Sequence, residues 1–142
     1  MKLRLQTDHA LRTLILLGNQ KRKMTAAEIA DVFLISKDHL VKVIQQLSRL
    51  GYVRAIPGRN GGVVLKQDAS EILVRDVIRS IEGATGVLPC FDDSEFCPME
   101  PNCYLQRVLM QAEAAFYDAL GTVSVADLFR GRNKGGIVNL DI

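Results

Sequence analysis

Cys90, Cys97 and Cys103 are the only thiols in the 142 residues, and all fall in one stretch, LPCFDDSEFCPMEPNCYL. Between the first and last of them stand two prolines, four carboxylates and an asparagine, so the stretch reads as a loop rather than as core. Their spacing is C-x6-C-x5-C. Structural zinc sites use tight pairs, such as C-x2-C, because two thiolates on one knuckle must reach a single ion. The intervals here are too wide for a knuckle. They suit an object whose corners need ligands several ångströms apart, and an iron–sulfur cluster with thiolate ligands is such an object. Three thiols leave one corner for a carboxylate, a histidine or solvent. A thiol switch without a cluster is the other chemistry open to this set.

Composition narrows where such chemistry would operate. A loop-clustered, odd set of cysteines without a secretory signal points to a reducing cytoplasm, where metal or redox roles outrank disulfides. The opening MKLRLQTDHALRTLILLG is basic and then apolar, but Asp8, His9 and Arg12 interrupt the apolar part, which argues against a signal peptide. No run approaches the ~18–20 apolar residues of a membrane span, so no membrane partner is expected. The net charge is only +2, yet it is unevenly spread. Residues 1–66 carry 12 Lys/Arg against 4 Asp/Glu, whereas residues 67–142 carry 6 against 12. A basic half beside an acidic half suggests that the former meets a polyanion. There is no phosphate-cradling glycine loop and no nucleophile elbow, and His9 and His39 lack a triad context, so an enzyme is not expected.

The periodicity supplies the elements that would position these groups. A first helix is expected over about Thr7 to Gly18, with Leu11, Leu14, Ile15 and Leu17 recurring at helical spacing and Gly18 closing it. NQKRK is a basic turn. Thr25 and Glu28 form a capping-box pair for a helix from Ala26 to about Val32. Ser36 caps a third helix whose apolar face is Leu40, Val43, Ile44, Leu47 and Leu50, with Gly51 as its stop. Two helices joined by a short turn, the second polar on one face, read as a helix-turn-helix. YVRAI and GVVLK are strand-like and separated by PGRNGG, a hairpin placed where a winged helix carries its wing.

These elements predict a mainly α fold with a small β wing. Residues 1–83 form the winged helix-turn-helix domain, 84–103 the cysteine loop, 104–130 a dimerisation helix with a short terminal helix, and 131–142 a loose tail. A fourth helix is expected over Val74 to Ile81, closed by Gly83. The long helix from Tyr104 to Leu120 carries Leu105, Leu109, Ala112, Phe116 and Ala119 at alternating steps of four and three, the seam of a coiled coil, which points to a homodimer. Ser124 caps the last helix. On the DNA side, Ser36, Lys37, His39 and Lys42 are candidate base or phosphate contacts in the major groove, and Arg59, Asn60 and Gly61 form a wing tip suited to the minor groove.

With those residues in view, the chain resembles the winged-helix transcription regulators typified by IscR, NsrR and RirA. The likeness is carried by MKLRLQTDHALR, LVKVIQQLSRLGYV, GRNGGVVL, VRDVIRSIEG and the three cysteines before a long helix. It implies a dimeric, cytoplasmic DNA-binding repressor of palindromic operators in double-stranded DNA, holding an iron–sulfur cluster on Cys90, Cys97 and Cys103. IscR-like members place a histidine three residues beyond the last cysteine, where this chain has Gln106. NsrR-like members carry an aspartate early in the first helix, donated across the dimer, and Asp8 occupies that position. The resemblance therefore implies a nitric-oxide-sensing, NsrR-like protein with a 4Fe–4S cluster, the alternatives being a 2Fe–2S cluster, an iron- or redox-sensing RirA- or IscR-like regulator, or a cluster-free thiol switch. One departure stands: six residues separate the first two cysteines, whereas NsrR-like loops commonly have five.

Overall fold

The computed structural model describes residues 2–83, 98–99 and 102–130. Cys90, Cys97 and the expected tail after Gly131 lie outside the described residues. The chain runs as α1 (Leu5–Gln20), α2 (Ala26–Phe33), α3 (Lys37–Arg49), β1 (Val53–Ile56), β2 (Gly62–Leu65), α4 (Val74–Glu82), α5 (Tyr104–Leu120) and α6 (Val125–Arg130).

Helix α1 is the hub, packing against α3, α4, α6 and β2. Its inner face is Ala10, Thr13, Leu14, Leu16 and Leu17, all essentially without solvent contact. They meet Leu40, Val43 and Leu47 of α3, Val77 and Ile81 of α4, and Val125 and Ala126 of α6 in one apolar core. Burying each such aliphatic side chain is worth ~1.5–3 kcal/mol, against ~1 kcal/mol for a good cap. Packing therefore holds the helices, and side-chain caps mark where α2, α3, α5 and α6 begin.

Gly18 does not close α1. It lies inside the helix, where an added Cβ would sit 2.8 Å from Phe129 Cε1 and 3.0 Å from Ala69 Cβ. Its missing side chain admits the ring of α6, and the helix instead ends at Lys21, which takes a left-handed conformation (φ 49°) and donates its N–H to Leu17 O. Expected as an appendage of the long helix, α6 is part of the same core as α1. Backbone bonds Val74 N to Val123 O (2.9 Å) and Val125 N to Ile72 O (2.8 Å) tie it back.

α5 behaves differently. No residue of it is buried, and among the described residues its main contact is with α4, aided by Arg79 over the Tyr117 ring. Tyr104, Leu105, Val108 and Met110 stay largely exposed. Among the described residues no helix is long and apolar enough to cross a membrane.

Candidate nucleic-acid interface and cluster ligands

Thr25 Oγ1 accepts the Glu28 N–H, and the Glu28 carboxylate accepts the Thr25 N–H, so both halves of the expected capping box are present. Glu28 also pairs with Arg22 at 3.0 Å. The Thr25 backbone amide first, and then Arg22, hold its carboxyl below the ordinary glutamate range. Helix α2 ends on Leu34 in the left-handed region (φ 54°), and the chain re-enters a helix at once, with Ser36 Oγ accepting the His39 N–H. Leu40, Val43, Ile44 and Leu47 face the core. Lys37, Asp38, Lys42, Gln45 and Arg49 are left exposed. The fold thus leaves Ser36, Lys37 and Lys42 exposed.

His39 is placed otherwise. Its ring meets that of His9 on α1, with centroids 4.9 Å apart and planes at 82°. Neither His9 Nδ1 nor His39 Nε2, both buried, has a hydrogen-bond partner. Burial, and then the His39 imidazole, keep His9 below its ordinary value near 6.5, while Asp8 pulls the other way. Sequence reading separated these two histidines; only the packing of α1 on α3 joins them.

The wing pairs Val53 with Leu65 and Ile56 with Gly62. At its tip Gly61 N donates to Gly58 O at 2.9 Å, a β-turn with Arg59 and Asn60 at its centre, both exposed. A Cβ at Gly61 would collide with the Ile56 carbonyl oxygen, so this corner admits only glycine. Two further contacts hold the wing, and the sequence did not announce them. Met24 exchanges both backbone bonds with Val63 (3.1 and 2.7 Å). Lys23 Nζ donates to the Asn60 carbonyl. The basic turn after α1 is therefore a support for the wing.

Cys103 is buried and is the N-cap of α5, its Sγ accepting the Gln106 N–H at 3.4 Å. The positive end of a 17-residue helix points at this sulfur, which suits a metal-bound thiolate. Asp8 lies in the first turn of α1, half exposed, paired with Arg12 at 2.9 Å. Its neighbour His9 is turned inward onto α3, so on α1 the carboxylate rather than the imidazole is accessible. Among the described residues no group of three or more His, Cys, Asp or Glu gathers into a metal site. The donor set itself, three cysteines at C-x6-C-x5-C spacing with a helix N-terminus behind the last, fits an iron–sulfur cluster.

A family model described as "Rrf2: Iron-dependent Transcriptional regulator" matches residues 3–131. Among solved structures, CymR, the global cysteine regulator of B. subtilis, superposes with a TM-score of 0.74 at 22% identity, covering 90% of this chain and 95% of that one. IscR of T. potens gives 0.73 at 20% identity over 92% and 87%. A transcriptional regulator from Listeria innocua gives 0.75 at 22% over 98% and 93%. At these identities the superpositions speak for the fold.

Proposed function

The chain belongs to the Rrf2 family of transcriptional regulators, and from that premise we propose that it is a homodimeric repressor whose operator affinity is set by an iron–sulfur cluster reporting nitric oxide. Cys90, Cys97 and Cys103 would hold the cluster, with Asp8 of the partner subunit at the fourth corner. The observation that carries this reading is Cys103, buried at the head of α5 with an amide aimed at its sulfur and preceded by two further cysteines at cluster spacing. The exposed apolar side chains of α5, Tyr104, Leu105, Val108 and Met110, support the dimer, since apolar surface of this kind is what a second copy would cover.

When bound, the cluster would supply iron chemistry able to react with nitric oxide. The protein's own residues do the rest. Ser36, Lys37 and Lys42 meet the major groove and its phosphates, with Arg59, carried by Asn60 and Gly61, at the adjacent minor groove. Asp8 would hold the fourth position in place of its pairing with Arg12, and so would tie the first turn of α1 to the ligand set.

Anaerobic purification tests this directly. A brown protein with iron and acid-labile sulfide, releasing its operator on exposure to nitric oxide, is expected; a colourless protein that binds DNA identically with and without reductant would overturn it. A second reading, a cluster-free thiol switch, draws on the likeness to CymR, which has also been solved in an oxidised form from Staphylococcus aureus. In that case affinity would follow thiol oxidation with no iron bound.

A further inference from the structure

The buried contact between His9 and His39 is unusual in leaving two ring nitrogens without partners. Desolvating an imidazole nitrogen without replacing its hydrogen bond is unfavourable, and an apolar ring of similar shape would fill the space without that penalty. The two rings line a hollow with Leu5, Phe33, Leu34, Ile35 and Ser36, at the junction of α1 with the helix-turn-helix. A neutral imidazole carries one donor and one acceptor nitrogen. A direct N–H···N bond of ~2.9 Å between two such rings puts their centroids about 5 Å apart. The observed separation is 4.9 Å, with the planes near perpendicular at 82°. At this spacing, rotation of the rings that turned a nitrogen of each toward the other would exchange an edge-packed contact for a hydrogen-bonded one.

We propose that His9 and His39 form a two-state joint that carries the position of α1 to the recognition helix. His9 follows Asp8 directly, and its backbone carbonyl is held by Thr13 Oγ1 at 2.7 Å, so it moves with the first turns of α1. His39 sits in the first turn of α3, its N–H on the Ser36 cap, beside Lys37 and Lys42. A second link runs parallel: Arg12, which holds Asp8, lies 5.9 Å from the centroid of the Phe33 ring. Both links converge on the turn that sets where α3 begins. The joint rests on the reading of Asp8 as a cluster ligand and of α3 as the DNA reader; in that reading His9 and His39 are positioning residues.

The test uses the full chain and separates the two claims. In cluster-free protein, Asp8→Asn is expected to shift the backbone amide resonances of residues 36–42, and the shift is expected to fall at least twofold in a His39→Phe background, where only the Arg12–Phe33 link remains, and to recover in part with His39→Gln, which restores a donor. A response that persists undiminished in both His39→Phe and His9→Phe, or no response in the parent, overturns the joint whatever the cluster does. In cluster-loaded protein the ratio of operator affinities with and without the cluster should fall at least threefold toward unity in His39→Phe. Equal loss in both states, leaving the ratio intact, would mean a merely structural pair and overturn the proposal. A parent without any cluster would sink the functional reading and leave the resonance experiment to decide the joint.

Discussion

Arg12 grips Asp8 from one turn further along α1, with Nε 2.9 Å from Oδ2 and 3.0 Å from Oδ1. The carboxylate that the family resemblance assigns to the cluster is thus engaged within its own helix. An exposed pair of this kind is worth only ~0–1 kcal/mol, so a metal can outcompete it. Asp8→Ala should still assemble a cluster on three cysteines, with an altered absorption spectrum and weaker coupling between nitric oxide and DNA release. Arg12→Ala should do the reverse and slow cluster loss. Spectra and release rates matching the parent in the Asp8 variant would remove it as a ligand and favour an iron-responsive regulator.

Arg59 is offered by a turn whose carbonyl at Asn60 is held by Lys23. Arg59→Ala should weaken operator binding by ~1–3 kcal/mol if it reads a groove, and flatten the salt dependence if it also neutralises a phosphate. Lys23→Ala should lose part of the same effect by loosening the tip, so the double variant should be less than additive. Titrations across several salt concentrations check both; unchanged affinity in Arg59→Ala would exclude the wing as a contact.

The cysteines differ in what else they do. Cys90→Ser and Cys97→Ser should abolish iron binding after anaerobic reconstitution. Cys103→Ser should abolish it as well while keeping a side-chain acceptor at the N-cap of α5, whereas Cys103→Ala removes the weak sulfur acceptor and should in addition lower stability, by less than the ~1 kcal/mol typical of an oxygen cap. Iron and sulfide analysis beside urea melts separates these effects. Two single variants retaining a full complement of iron would rule out the three-thiolate model.

The capping box on α2 has its own pH signature. Because the folded state lowers the Glu28 pKa from its ordinary value near 4.5, its contribution is present above that value. It is lost as pH falls through the lower, folded value, where the carboxylate takes a proton. Thr25→Ala should cost about 1 kcal/mol at pH 7 and flatten the acid limb of the stability curve. Denaturant midpoints measured between neutral and acid pH would show it; an acid limb identical to the parent's would mean that the box contributes nothing.

What could be read from the chain by itself was whatever is decided within a few residues. The Thr25 and Ser36 caps, the positive-φ stop at Gly51, the tip turn of the wing and the full span of α5 all depend on hydrogen bonds or periodicity between near neighbours, and they stand where the sequence places them. The polar face of α3 and the three-cysteine spacing were legible for the same reason, since each is a pattern along one segment. Contacts between distant segments were not. Gly18 reads as a helix stop because glycine usually is one, yet Phe129 arrives from more than a hundred residues away and needs that missing side chain. Lys23 meets Asn60, and His9 meets His39, only because α1, the wing and α3 pack on one shared core. Local chemistry specifies each element and the residues it displays; which side chains from separate elements meet is determined by how apolar faces fit together, and that fit exists only in three dimensions.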